Sequence, residues 1–80
     1  VNGVTIHLNG EPHELREPVT VSALLDSLGI DARMVAVELN RRVVRRARFG
    51  ETMVEDGAEV EIVAFVGGGA LETPRRRGVQ

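Results

Sequence analysis

The dipeptide Asn9-Gly10 stands between Val4-Thr5-Ile6-His7-Leu8, where apolar and polar residues alternate, and a second run from Glu11 to Arg16. Asn and Gly both tolerate positive φ, which the tight two-residue turn of a β-hairpin demands. The alternation is that of a strand with one face turned to a core. Pro12 has no backbone N–H to give to a ladder, so the return strand belongs at a sheet edge. The chain therefore opens with a hairpin, and the remaining residues must cover its apolar face.

The next segment supplies that cover. Thr20 is placed to cap a helix over Val21–Leu28, its hydroxyl accepting from a free N–H of the first turn. Val21, Leu24, Leu25 and Leu28 recur at helical spacing and form one apolar face. Gly29 follows where a left-handed C-terminal cap is wanted. A helix this short needs a sheet to hold it.

Val35–Asn40 then reads as a largely apolar strand in a central position. A turn near Asn40–Arg42 leads to the short strand Val43-Val44. Arg45–Asp56 is irregular or holds one helical turn, with Phe49 and Met53 as core plugs. Asp56-Gly57 makes a turn, and Ala58–Val66 is the last strand. A hairpin, one helix across it and further strands is the order of a β-grasp fold. It predicts an α+β domain in which four to five strands form a mixed sheet on one main helix, with the first and last strands parallel. No repeat and no interdomain linker occurs. Residues 1–69 are expected to form one domain. Residues 70–80, with Pro74, Gly78 and three arginines, have the composition of a flexible basic extension.

Composition limits the chemistry. The 80 residues include no Cys, Trp or Tyr and only two Phe, Phe49 and Phe65, so the core must be aliphatic. Cysteine chemistry, disulfides and Cys-ligated zinc are excluded, and aromatic platforms for single-stranded nucleic acid are missing. All ten basic residues are Arg. Residues 1–69 hold seven Arg against eleven Asp and Glu, a net of −4, and residues 70–80 hold three Arg against one Glu, a net of +2. An acidic body favours partners with basic surfaces and disfavours nucleic acid. With no long apolar run and no signal-peptide pattern, a monomeric, cytoplasmic protein is expected, without membrane contact.

Catalytic constellations are absent. Ser22 and Ser27 lie on the helix, outside any nucleophile elbow, and read as surface or capping residues. His7 and His13 face one another loosely across the hairpin, but no third ligand is spaced to close a metal site, so no metal is expected. Glu55, Asp56, Glu59 and Glu61 read as a turn and a solvated strand face.

The triplet Gly67-Gly68-Gly69 is different. It could be a plain linker, and it lacks the Lys and the following helix of a phosphate loop. Yet it directly follows the last strand of a domain with no other reactive group. A segment without side chains can lie extended in a narrow channel of another protein, where a branched residue would clash. If Val60, Ile62, Ala64 and Val66 point inward, then Glu59, Glu61, Val63 and Phe65 point outward. Val63 and Phe65 would then form a small apolar anchor for a partner beside the glycines.

The segments Met34–Asn40, Val43-Val44 and Val54–Gly69, ending in Phe65-Val66-Gly67-Gly68-Gly69, resemble the bacterial ThiS family of sulfur carriers. The Asn9-Gly10-Glu11 hairpin and the Thr20–Leu28 helix fit the same pattern, so the resemblance covers residues 4–69. It implies a ubiquitin-like protein cosubstrate rather than an enzyme. Gly69 would bear a thiocarboxylate, with Gly67 and Gly68 as the threading segment. Implied partners are a ubiquitin-activating-type adenylating enzyme that uses ATP, a sulfur donor such as a cysteine desulfurase, and thiazole synthase as acceptor. The carrier itself would hold no tight cofactor.

One departure matters. Family members usually stop at Gly-Gly, whereas here Gly69 is followed by eleven more residues. An internal amide cannot be adenylated as a carboxylate can. A processing protease is therefore expected, unless the tail is an addition or this member has lost the chemistry. Rival readings are a carrier for molybdopterin, cysteine or a secondary metabolite, a noncovalent β-grasp binding module, or a piece of a fusion with thiazole synthase.

Overall fold

The computed structural model describes residues 3–66 and 70–71. Strands β1 (Val4–Leu8) and β2 (Glu11–Leu15) form the opening hairpin, with Asn9 and Gly10 at φ 51° and 86°. After β3 (Val19–Thr20) comes helix α1 (Val21–Ser27), then β4 (Val35–Leu39), β5 (Arg42–Val44), β6 (Met53–Val54), β7 (Glu59–Val66) and β8 (Ala70–Leu71). Single 3-10 turns cover Ala32–Met34 and Arg46–Arg48.

The main sheet runs β2-β1-β7-β4-β5, with β8 also paired to β7. β1 and β7 are parallel, and the remaining pairs in this sheet are antiparallel. This is the expected β-grasp arrangement. β2 takes the edge that Pro12 requires. β4 is flanked on both sides, but the middle of the sheet belongs to β7. A small second sheet of β3 and β6, unforeseen from sequence, ties the helix entrance to the loop before β7.

The helix ends obey local chemistry. Thr20 Oγ1 accepts from the Ala23 N–H at 3.0 Å. The Val21 and Ser22 N–H groups donate to the carbonyls of Thr52 and Phe49. Three of the four N–H groups that a helix start leaves open are thus satisfied. At the other end Gly29 adopts φ 73°, its N–H reaches the Asp26 carbonyl and that of Ile30 reaches Leu25. This double closure is a Schellman motif.

Val21, Leu24 and Leu25 of α1 pack onto Val4, Ile6, Val35, Val37 and Val60 of the sheet, with Phe49, Val54 and Ala58 closing the side. Each fully buried apolar side chain contributes about 1.5–3 kcal/mol relative to exposure. Phe49 is buried as expected, but Met53 is not: it is 42% exposed, and Val54 is the fully buried plug. Successive strand residues point to opposite faces, so β6 can turn only one of the two inward. The histidines also differ from expectation. Ile6 pairs with His13 and His7 with Pro12, which puts His7 and His13 on opposite faces of the hairpin. No helix among the described residues is long and apolar enough to cross a membrane.

Candidate functional site

The candidate site is the outgoing end of β7. Its side chains alternate as the pattern requires: Val60 is buried and Ile62 half-buried, whereas Glu59, Glu61 and Val63 are exposed. Val63 is 42% exposed, while Phe65 is half-buried. Ala64 is on the inward-facing set yet exposed, opposite Val35 at the edge of the core. Gly67, Gly68 and Gly69 lie outside the described residues. Ala70 and Leu71, read from sequence as the start of the extension, pair with Val66 and Phe65 as strand β8.

Two turn asparagines hold β7 in place. Asn9 Oδ1 accepts from the Ile62 N–H at 2.8 Å and its Nδ2 donates to the Ile62 carbonyl at 3.3 Å. The Asn9 N–H also donates to the Val60 carbonyl at 2.8 Å. On the opposite edge Asn40, at φ 53°, accepts from the Glu59 N–H at 2.9 Å through Oδ1 and donates its own N–H to the Glu59 carbonyl at 2.7 Å. Sequence reading saw Asn9 and Asn40 only as turn formers. Their side chains act as stand-ins for ladder groups, and the available signal was Asn, rather than Gly, at a left-handed turn position.

Around β7 the open sheet face mixes charged residues with exposed Val43 and Val63. Glu38 and Glu61 sit directly opposite each other on β4 and β7, and His7 is level with Glu59. Arg41 Nε lies 3.6 Å from Glu59 Oε1, with both side chains largely exposed. On the helix side, Leu8, Leu28, Ile30, Met34, Ile62 and Ala64 line an apolar groove. Next to Ile30 in sequence, Asp31 receives Arg33 N–H, Nε and Nη2 at 2.9, 3.1 and 2.9 Å. These hydrogen bonds lower the Asp31 carboxyl from 3.8 to about 2. Among the described residues no group of three or more His, Asp or Glu could hold a metal ion. The described surface offers recognition by charge and apolar contact.

The ThiS family model matches residues 1–69. A thiazole synthase of Paramagnetospirillum magneticum is 46% identical over 63 residues, covering 79% of this chain, and the chain spans 19% of that relative's length. The sulfur carrier protein ThiS of Thermus thermophilus is 36% identical over 64 residues, covering 80% of this chain and 98% of its own. The crystal structure of the thiamine biosynthesis protein ThiS from Geobacter metallireducens superposes with a TM-score of 0.74 at 39% identity. It covers 82% of this chain and all of that one.

Proposed function

This chain belongs to the ThiS family, and on that premise we propose that it is a sulfur carrier for thiamine-thiazole formation, working through Gly69 once the chain is cut after that residue. The observation that carries the proposal is the family match over residues 1–69, which stops at the last glycine of the triplet that follows β7.

The chemistry follows from what a glycine terminus can do. Water adds across the Gly69–Ala70 amide and leaves a carboxylate on Gly69. A free carboxylate is a poor electrophile. Attack of its oxygen on the α-phosphorus of ATP in a partner adenylating enzyme releases pyrophosphate and gives an acyl-adenylate. A persulfide sulfur derived from cysteine displaces AMP to give an acyl disulfide, and a thiol reductant then cleaves its S–S bond, so that sulfur ends in the place of one carboxylate oxygen. The carrier contributes the terminus and the surface that delivers it. Gly67 and Gly68 fit a channel too narrow for side chains, while Val63 and Phe65 offer the apolar anchor beside it.

Support for thiazole synthase as the acceptor comes from the relative of that name, about four times the length of this chain. Acceptor and carrier can be parts of one polypeptide or separate proteins in this reading. The activating enzyme, sulfur donor and protease are identified by the chemistry that they must supply.

The test is the intact mass of the protein recovered from its host under conditions that preserve thioacids. A species ending at Gly69 with one oxygen replaced by sulfur is the expected result. Recovery of only uncut, unmodified chain from cells actively making thiazole would overturn the proposal.

A further inference from the structure

We propose that strand β8 is a self-blocking strand that slows the cut after Gly69, an inference that rests on the carrier reading above. β7 pairs with β4 only as far as Ala64 and with β1 only at Glu59 and Val60. Asn9 extends the second edge by two residues, to Ile62. Phe65 and Val66 therefore lie beyond both neighbours. β8 is the element that pairs with them, Leu71 opposite Phe65 and Ala70 opposite Val66.

Ala70 and Leu71 are also the first two residues on the leaving side of the Gly69–Ala70 bond. Proteins that grip a peptide backbone commonly do so by adding it as an extended strand, through main-chain hydrogen bonds. In this chain the main chain of those two residues is already engaged by β7. The β7–β8 pairing must open before a protease can take them up. Only two residue pairs hold it, and so short a ribbon is marginal by itself. The block is therefore partial, a matter of about tenfold in rate for each 1.4 kcal/mol of opening free energy.

The cut has a second effect. Water adds across the amide, Gly69 keeps the carboxylate and Ala70 leaves as an amine carrying β8 with it. The main-chain groups of Phe65 and Val66 that β8 had used then become available to a partner strand. One hydrolysis creates the reactive terminus and releases the edge beside it.

The experiment uses the full 80-residue chain and its double variant Ala70→Gly/Leu71→Gly. Two glycines weaken pairing whichever residue turns its N–H to β7. Amide exchange at Phe65 and Val66 is read by NMR, with Ile62 as an internal control. The rate of cutting within residues 67–71 by a subtilisin-type protease is then measured. Each cutting rate is divided by that of the matching isolated peptide of residues 64–75, which removes the intrinsic effect of glycine. The expected result is about tenfold faster exchange at the more protected of the two amides, and a similar rise in normalised cutting. An unchanged exchange rate, or faster exchange without faster cutting, overturns the proposal. A chain that is cut after Gly69 but never thiocarboxylated would sink the carrier reading and leave this result standing.

Discussion

The Asn9 side-chain amide and the Ile62 main chain form a two-way hydrogen-bonded pair, 2.8 Å from Ile62 N to Oδ1 and 3.3 Å from Nδ2 to the Ile62 carbonyl. The residue that turns the first hairpin thus also holds β7, 53 positions away in sequence. It does so where β1 has ended and β7 still has its exit to support.

Asn9→Gly isolates that role, because glycine keeps the left-handed turn at φ 51° while removing the amide. Loss of two partly solvated hydrogen bonds should cost about 1 kcal/mol. A lower urea midpoint with an unchanged slope is the expected signature. An unmoved midpoint would mean that water replaces the Asn9 amide without loss.

Val54 and Met53 are neighbours in β6 with opposite fates. Val54 is fully buried, and Val54→Ala should cost about 2 kcal/mol through lost contacts and an unfilled cavity. Met53→Ala, at a residue 42% exposed, should stay within about 0.5 kcal/mol of the parent. Chemical denaturation of the two variants side by side checks the assignment, and equal losses would contradict it.

Val63 tests the delivery surface. It is exposed on the open sheet face just before the exit of β7, so Val63→Glu should leave stability within about 0.5 kcal/mol. If Val63 anchors a partner, the thiocarboxylated fraction formed in cells should fall about tenfold, the scale of a contact worth 1–2 kcal/mol. An unchanged fraction, read by intact mass, would remove Val63 from the docking surface.

Asp31 predicts an acid response. Its folded carboxyl lies at about 2, below the ordinary 3.8, because Arg33 donates three hydrogen bonds to it. A lowered folded value means that the stabilisation is present above about pH 4 and is lost as pH falls through about 2. Asp31→Asn should therefore flatten the fall of stability over that window and change little near neutrality beyond removal of the pair itself. An NMR titration of the Asp31 carboxyl, with its midpoint at the ordinary value, would refute the assignment.

Legibility followed the range of each interaction. Asn9-Gly10, the Thr20 cap and the Gly29 stop act between residues a few positions apart, and all three stand in the structure as read. The β-grasp order, the parallel pairing of β1 with β7 and the outward register of Glu59, Glu61 and Val63 were also legible. The misplacement of the histidines was a matter of register. A two-residue turn pairs Leu8 with Glu11, so His7 meets Pro12 and His13 meets Ile6. The choice of Met53 over Val54 was different in kind. Both are apolar, and only the pairing of Met53 with Thr20 and of Val54 with Val19 decides which one enters the core.

Sequence alone determined the hairpin, the helix and its ends, the largely aliphatic core and the glycine run after the strand that ends at Val66, because turn φ values, capping groups and apolar periodicity are local properties. Tertiary structure alone decided that β7 occupies the middle of the sheet, that Asn9 and Asn40 clasp its two edges, and that β8 pairs with its end. Those outcomes depend on which unpaired main-chain groups meet after the chain has closed on itself, and no short window of residues contains both partners.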